Sequence, residues 1–199
     1  MRWHKFISSV LHPIVMPTIG VLLYYMVVPL SINKPKLYAL FSIIFIATYA
    51  IPLLLLIFLK SKGHINSYEV HSIKERRIPL FFMTSIFLIL GKFFFDVTYL
   101  KDLSYLYFGT ALGLIFIYFI FKLKIKTSLH LLSMGSAVGF FLMIQLKYQT
   151  NIWPLISILI LLSGLLASSR LKLKAHTSKE VYLGFLLGIF CQVIINYLL

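Results

Sequence analysis

Long apolar stretches, each closed by a short polar or charged join, constrain this chain more than anything else in it. Seven can be marked, roughly over residues 8–31, 36–59, 79–99, 103–121, 129–147, 152–168 and 181–199. Most approach the ~20 residues that carry a helix across ~30 Å of hydrocarbon. In lipid, a backbone N–H or C=O has no water to turn to, so each stretch is expected to be helical. Glycine, proline, asparagine and charge clusters fall between the stretches, as boundaries should. Pro13 and Pro17 interrupt the first stretch, and the sixth is short. The expected fold is all-α: one integral membrane helical bundle of six to seven transmembrane helices, a single domain over residues 1–199.

Composition narrows the partners. The chain is 60% hydrophobic, with a mean hydropathy of +0.96, well beyond the near-half apolar content of soluble domains. Nineteen Lys and Arg face five Asp and Glu, a formal charge of +14. In a soluble protein such an excess points to nucleic acid. Here no soluble basic domain exists, so the expected partners are membrane lipids and phosphate esters, with no nucleic acid. The single cysteine, Cys191, excludes a disulfide framework and a cysteine-built zinc site. Met1 to Lys5 is basic and precedes apolar sequence, like a signal peptide. The stretch that follows is too long, and no small-residue cleavage site ends it, so it reads as a retained first span.

The joins are chemically unequal. Those on the side of the N-terminus, side A, hold Arg2, Lys5, Lys60, Lys62, Lys74, Arg76, Arg77, Lys122, Lys124, Lys126, Arg170, Lys172, Lys174 and Lys179. Side B holds Lys34, Lys36, Lys101 and Lys147, while Lys92 lies within a span. The positive-inside rule places side A in the cytoplasm, and the expected location is a bacterial cytoplasmic membrane. Three rich clusters share side A, because two crossings separate each from the next. They can therefore converge on one pocket.

The first cluster is Tyr68 to Pro79. Pro79 is expected to open the third span, where its missing N–H costs nothing. Arg76 and Arg77 precede it, and an arginine fork can grip a phosphate with two bonds. The plainer reading is a pair of cytoplasmic anchor charges. The second cluster is Lys122 to His130. Its lysines alternate with apolar residues and can snorkel to headgroups. Thr127 and Ser128 suit a cap for the fifth span, and a hydroxyl-capped helix start favours phosphate. His130 then sits just inside the helix, an ionisable group at a depth that points to function. The third cluster is Ser169 to Glu180. His176 and Glu180 are four apart, one above the other on a helix, so the carboxylate can fix the tautomer of the imidazole. The plainer reading is a cap or salt link. Gly135/Gly139 and Gly184/Gly188 offer faces for close helix approach. His4, His12, His64 and His71 read as interfacial or loop residues without a partner, and Trp3 and Trp153 as interface anchors.

Ser169-Arg170, five residues, His176, three residues, Glu180 resembles the third motif of the type-2 phosphatidic acid phosphatase superfamily, Ser-Arg-x5-His-x3-Asp. Thr127-Ser128-Leu129-His130 resembles its second motif, Pro-Ser-Gly-His. Arg77-Ile78-Pro79, with Lys74 upstream, is similar to the end of the first, Lys-x6-Arg-Pro. The departures are Thr127 for proline, Leu129 for glycine, Glu180 for Asp, and Val70 where the first motif's lysine belongs. The resemblance covers roughly residues 68–190 and implies a phosphatase-like core there. It implies His176 as the nucleophile, Glu180 as its orienting carboxylate and His130 as general acid. Arg170, Arg77, Arg76, Lys74, Ser128 and Ser169 would hold phosphate oxygens, and neither metal nor cofactor is implied. The substrate would be a lipid phosphate such as phosphatidate or a polyprenyl phosphate or diphosphate, cleaved through a phosphohistidine. Two other classes stand beside it. One is an inactive relative that binds anionic lipid or serves in an envelope assembly. The other is a small transporter, for which Lys92 and Asp96 are the strong charges within a span.

Overall fold

The computed structural model describes residues 2–28, 32–68, 70 and 72–199. It is an all-α membrane bundle; among the described residues there is no strand. The helices are α1 Arg2–Val10, α2 Met16–Val27, α3 Lys34–Phe45, α4 Ile51–Ser61, α5 Ile73–Phe95, α6 Lys101–Ile120, α7 Leu129–Tyr148, α8 Trp153–Lys172 and α9 Ser178–Leu198. α3 runs on into α4 through a wide turn, Ile46–Ala50. That turn lies next to Pro52, whose ring nitrogen has no proton for the regular ladder. Counting α3 with α4, six helices among the described residues are long and apolar enough to cross a membrane, and α2 is a shorter apolar helix. Outward faces such as Leu54, Phe81, Ile89 and Leu161 stay exposed, as lipid-facing side chains should.

Two expectations about boundaries need correction. The first apolar stretch is not one span. Pro13 disfavours helical backbone at His12, and the chain breaks there into α1 and α2. α1 is amphipathic, with Trp3, Phe6 and Val10 exposed and Ser8 buried. The third span does not open at Pro79. A reciprocal cap starts α5 earlier: the Glu75 N–H donates to Ser72 Oγ at 3.2 Å, and the Ser72 N–H to Glu75 Oε2 at 3.1 Å. Pro79 then lies inside the helix and forfeits one ladder bond.

Two devices hold the bundle in register. α7 packs backbone to backbone on α9. A Cβ placed at Gly135 would stand 2.1 Å from the Phe185 carbonyl oxygen, and one at Gly188 would stand 2.4 Å from that of Leu132. Glycine is what permits this approach. At the side-B end, buried Asp102 accepts from Tyr24 Oη at 2.9 Å, Tyr148 Oη at 2.7 Å and Lys147 Nζ at 2.5 Å, tying α2, α6 and α7 together. Lys92 and Asp96 form an i,i+4 ion pair at 2.6 Å with both side chains largely exposed. They mark the side-B end of α5 and line no interior path.

Candidate functional site

The α7–α9 contact sets the starts of these two helices side by side on side A. Ser128 caps α7, its hydroxyl accepting from the Leu131 N–H at 3.5 Å. The Ser128 N–H donates to the Glu180 carbonyl at 3.2 Å. Thr177 caps α9, where its hydroxyl accepts from the Glu180 N–H and the Glu180 carboxylate accepts from the Thr177 N–H. His176 is the residue just before this cap, so the capping geometry itself fixes its backbone.

Glu180 does three jobs. Beyond the cap, its Oε1 accepts from the Lys126 N–H at 3.2 Å, and its Oε2 lies 3.1 Å from His176 Nδ1. His176 Nδ1 is also 2.9 Å from the Lys126 carbonyl. Both neighbours of Nδ1 are acceptors, so Nδ1 carries the ring proton and Nε2 keeps its lone pair. The plain reading of the His–Glu pair as a cap and the functional reading as an oriented imidazole are thus one arrangement.

The field around His176 is strongly positive. Burial first, then the guanidinium of Arg76, lowers His176 to about 4; Arg170 and Lys126 add to this, and the Glu180 hydrogen bond opposes it. Burial, followed by Arg76, also holds the Lys126 ammonium below its ordinary value. The cations thus act against one another's charge, a field that an anion placed among them would relieve.

A cavity of about 170 Å³ lies below these groups, walled by α2, α4, α5, α6 and α7. Since ~10–15 Å³ of such space admits one water, a phosphate with several carbons attached fits. Its end nearest the starts of α7 and α9 is lined by Arg76, His130, Arg170, His176 and His12. Its other end is lined by side chains such as Phe87, Phe140 and Phe141. Phe140 is ten residues, ~15 Å, further along α7 than His130. The three clusters therefore meet, as their shared side allowed.

The expected site residues divide. His176, His130, Arg170 and Arg76 line the cavity, and Glu180 stands behind His176. Arg77 and Lys74 are exposed on the outer face of α5. The arginine of the first cluster that enters is Arg76, which donates from Nε to the Val70 carbonyl at 2.8 Å and from Nη1 to that of Thr127 at 3.4 Å. Ser128 is fully buried as a cap. Ser169 is buried within α8, donating to the Leu165 carbonyl at 2.9 Å. His64 is in an exposed loop, and His71 lies outside the described residues. Leu129 contributes to the cavity wall.

Sequence reasoning missed the N-terminal helix. His4 Nδ1 is 3.3 Å from Ser169 Oγ. Arg170 Nη1 donates to Ser8 Oγ at 2.7 Å. The ring of His12 meets that of His130 edge-on, with centroids 5.0 Å apart. The signal was present: His4 and Ser8 are four apart on one face of α1, opposite the apolar Trp3, Phe6 and Val10, and His12 follows just beyond the helix. No family model, curated protein or solved structure matches the chain.

Proposed function

We propose that the chain is a lipid phosphatase or phosphotransferase of a bacterial cytoplasmic membrane, a divergent relative of the type-2 phosphatidic acid phosphatases. One observation carries the reading: a cavity that gathers three imidazoles and two guanidinium groups towards one end and is lined by hydrocarbon at the other. That polarity suits a phosphate group at the end of an apolar chain, such as phosphatidate or a polyprenyl phosphate. His176 Nε2 attacks phosphorus; the N–P bond forms as the bond to the lipid oxygen breaks. His130 takes a proton from water at Nδ1 and gives it to the departing oxygen. Water then attacks phosphorus, breaking the N–P bond and releasing phosphate. Arg170 and Arg76 stabilise the charge on the transferring group.

The test is phosphate release by purified protein from a panel of lipid phosphates, together with His176→Ala. The expected result is turnover by the wild type and its loss in the variant, with Cys191, fully buried in α9, still protected from thiol reagents. No release by the wild type across the panel overturns the reading. A second reading, a non-catalytic protein that binds anionic lipid, is favoured by Leu129, whose side chain occupies cavity wall where the resemblance expects a glycine. It predicts saturable binding of a lipid phosphate without turnover.

A further inference from the structure

Ser8 lies in the last turn of α1, where backbone carbonyls lack intrahelical partners. Its carbonyl is 3.2 Å from His130 Nε2. Its hydroxyl is 3.4 Å from the same nitrogen and 2.7 Å from Arg170 Nη1. A carbonyl only accepts, so His130 carries its ring proton on Nε2 and keeps a lone pair on Nδ1. Arginine only donates, so Ser8 Oγ accepts from Arg170. Ser8 itself is not among the residues lining the cavity, so it acts on an anion there through Arg170 and His130, which are. Ser8 is buried at 7% exposure, although Trp3 and Phe6 of the same helix are open at 66% and 58%. The helix thus turns one hydroxyl inward, onto the two groups that face the cavity from α7 and α8.

We propose that Ser8 is a positioning residue of the phosphate site, holding Arg170 and the His130 ring in the orientation that receives a tetrahedral phosphate-type oxyanion. The role rests on the phosphate-handling reading above, but it concerns anion binding and can be measured without turnover. α1 is then part of the site and not only an interfacial anchor. A charge-assisted hydrogen bond is worth ~1.5–3 kcal/mol, so its loss weakens binding by roughly 10- to 100-fold.

The experiment compares wild type, Ser8→Ala, Ser8→Thr and His4→Ala in detergent, with Cys191 protection as the check on folding. Inorganic phosphate binding is followed by phosphorus NMR, and kcat and KM are measured on the lipid phosphate that the wild type turns over best. Ser8→Ala is expected to weaken phosphate binding at least ~10-fold and to lower kcat/KM by a similar factor. Ser8→Thr, which keeps the hydroxyl, retains both within a few-fold. His4→Ala, which loosens α1 from α8 through Ser169 alone, leaves both near wild type. The proposal is overturned if Ser8→Ala binds phosphate like the wild type, or if Ser8→Thr or His4→Ala loses as much as Ser8→Ala. Ser8-dependent phosphate binding without turnover would keep the proposal and remove the phosphatase reading. Turnover and phosphate binding that are both indifferent to Ser8 would do the reverse. A wild type that neither binds phosphate nor releases it sinks both.

Discussion

Replacing Gly135 by alanine tests the geometry on which the site depends. The new Cβ would stand 2.1 Å from the Phe185 carbonyl oxygen and 2.9 Å from its carbon, where ordinary contact begins near 3.4 Å. The obstacle is backbone, so no rotamer change relieves it, and α7 must part from α9 by roughly 1 Å. Overpacking of this kind costs about 1–3 kcal/mol, and the better helix propensity of alanine returns at most ~1 kcal/mol. At about 2–4 °C per kcal/mol for a chain of this size, a net loss of ~1–2 kcal/mol lowers the unfolding midpoint by roughly 2–8 °C. Function should suffer more. His130 stands on α7 and His176 at the head of α9, and a ~1 Å misplacement between groups acting on one phosphate costs on the order of 10²-fold. Because Cys191 is buried on α9, a thiol-reactive dye reports the midpoint directly. The control is Gly164→Ala, where nothing lies within 4 Å of the added carbon; its midpoint should hold or rise slightly. If Gly135→Ala behaves like Gly164→Ala in both midpoint and phosphate handling, the close approach of α7 and α9 is not what sets the site.

Glu180→Gln keeps an acceptor for the cap but removes the charge beside His176. Phosphate release is expected to drop ~10²-fold, whereas Glu180→Ala should in addition cost ~1 kcal/mol of stability through the lost cap. His176, faced by Arg76, Arg170, Lys126 and Glu180, is lowered from 6.5 to about 4. Between those values the unfolded chain binds more protons than the folded one, so stability is complete above about pH 6.5 and falls as pH drops toward 4. Midpoints measured across that window should decline less steeply in His176→Gln; an unchanged slope would refute the assignment. Lys174 ends α8 in the left-handed region at φ 52°, with the Ala175 N–H on the Arg170 carbonyl and its own N–H on that of Leu171. Glycine suits that position, so Lys174→Gly is expected to gain about 1 kcal/mol, seen as a higher midpoint with phosphate release unchanged.

The spans were legible because lipid leaves the backbone no choice: an apolar run of sufficient length must close its own hydrogen bonds. The gathering of three clusters on one side followed from counting crossings. Their meeting around one cavity depended on helix starts that sequence also marks, Ser72 with Glu75, Ser128, and Thr177 with Glu180. Pro79 misled because proline's preference for a first turn competes with a capping box, and the cap supplies two bonds where proline merely avoids losing one. α1 escaped notice for the opposite reason. It is too short to read as a span, and its inward face shows only one histidine and one serine four residues apart, with His12 beyond its end.

Rotation about the helix axis is the part that sequence left open, and the first cluster shows why. Adjacent residues on a helix point ~100° apart, so Arg76 and Arg77 cannot both face the cavity. Arg76 shares its stripe with Leu80, Phe87, Leu90 and Phe94, all buried residues of α5 alongside Gly91. Arg77 shares its stripe with exposed Phe81 and Leu88. In a soluble helix the polar face would have settled the phase. Here lipid replaces water outside, both stripes are equally apolar, and the periodicity that separates inside from outside vanishes. What remains is packing: the stripe that meets α6 and the cavity is inside, and the arginine in phase with it carries the charge inward. For the same reason the motif-like spacing around Arg77 does not decide which guanidinium meets a phosphate. Arg76→Ala should therefore weaken phosphate binding while Arg77→Ala should not, and the reverse outcome would mean that α5 is rotated by about one residue from the placement described.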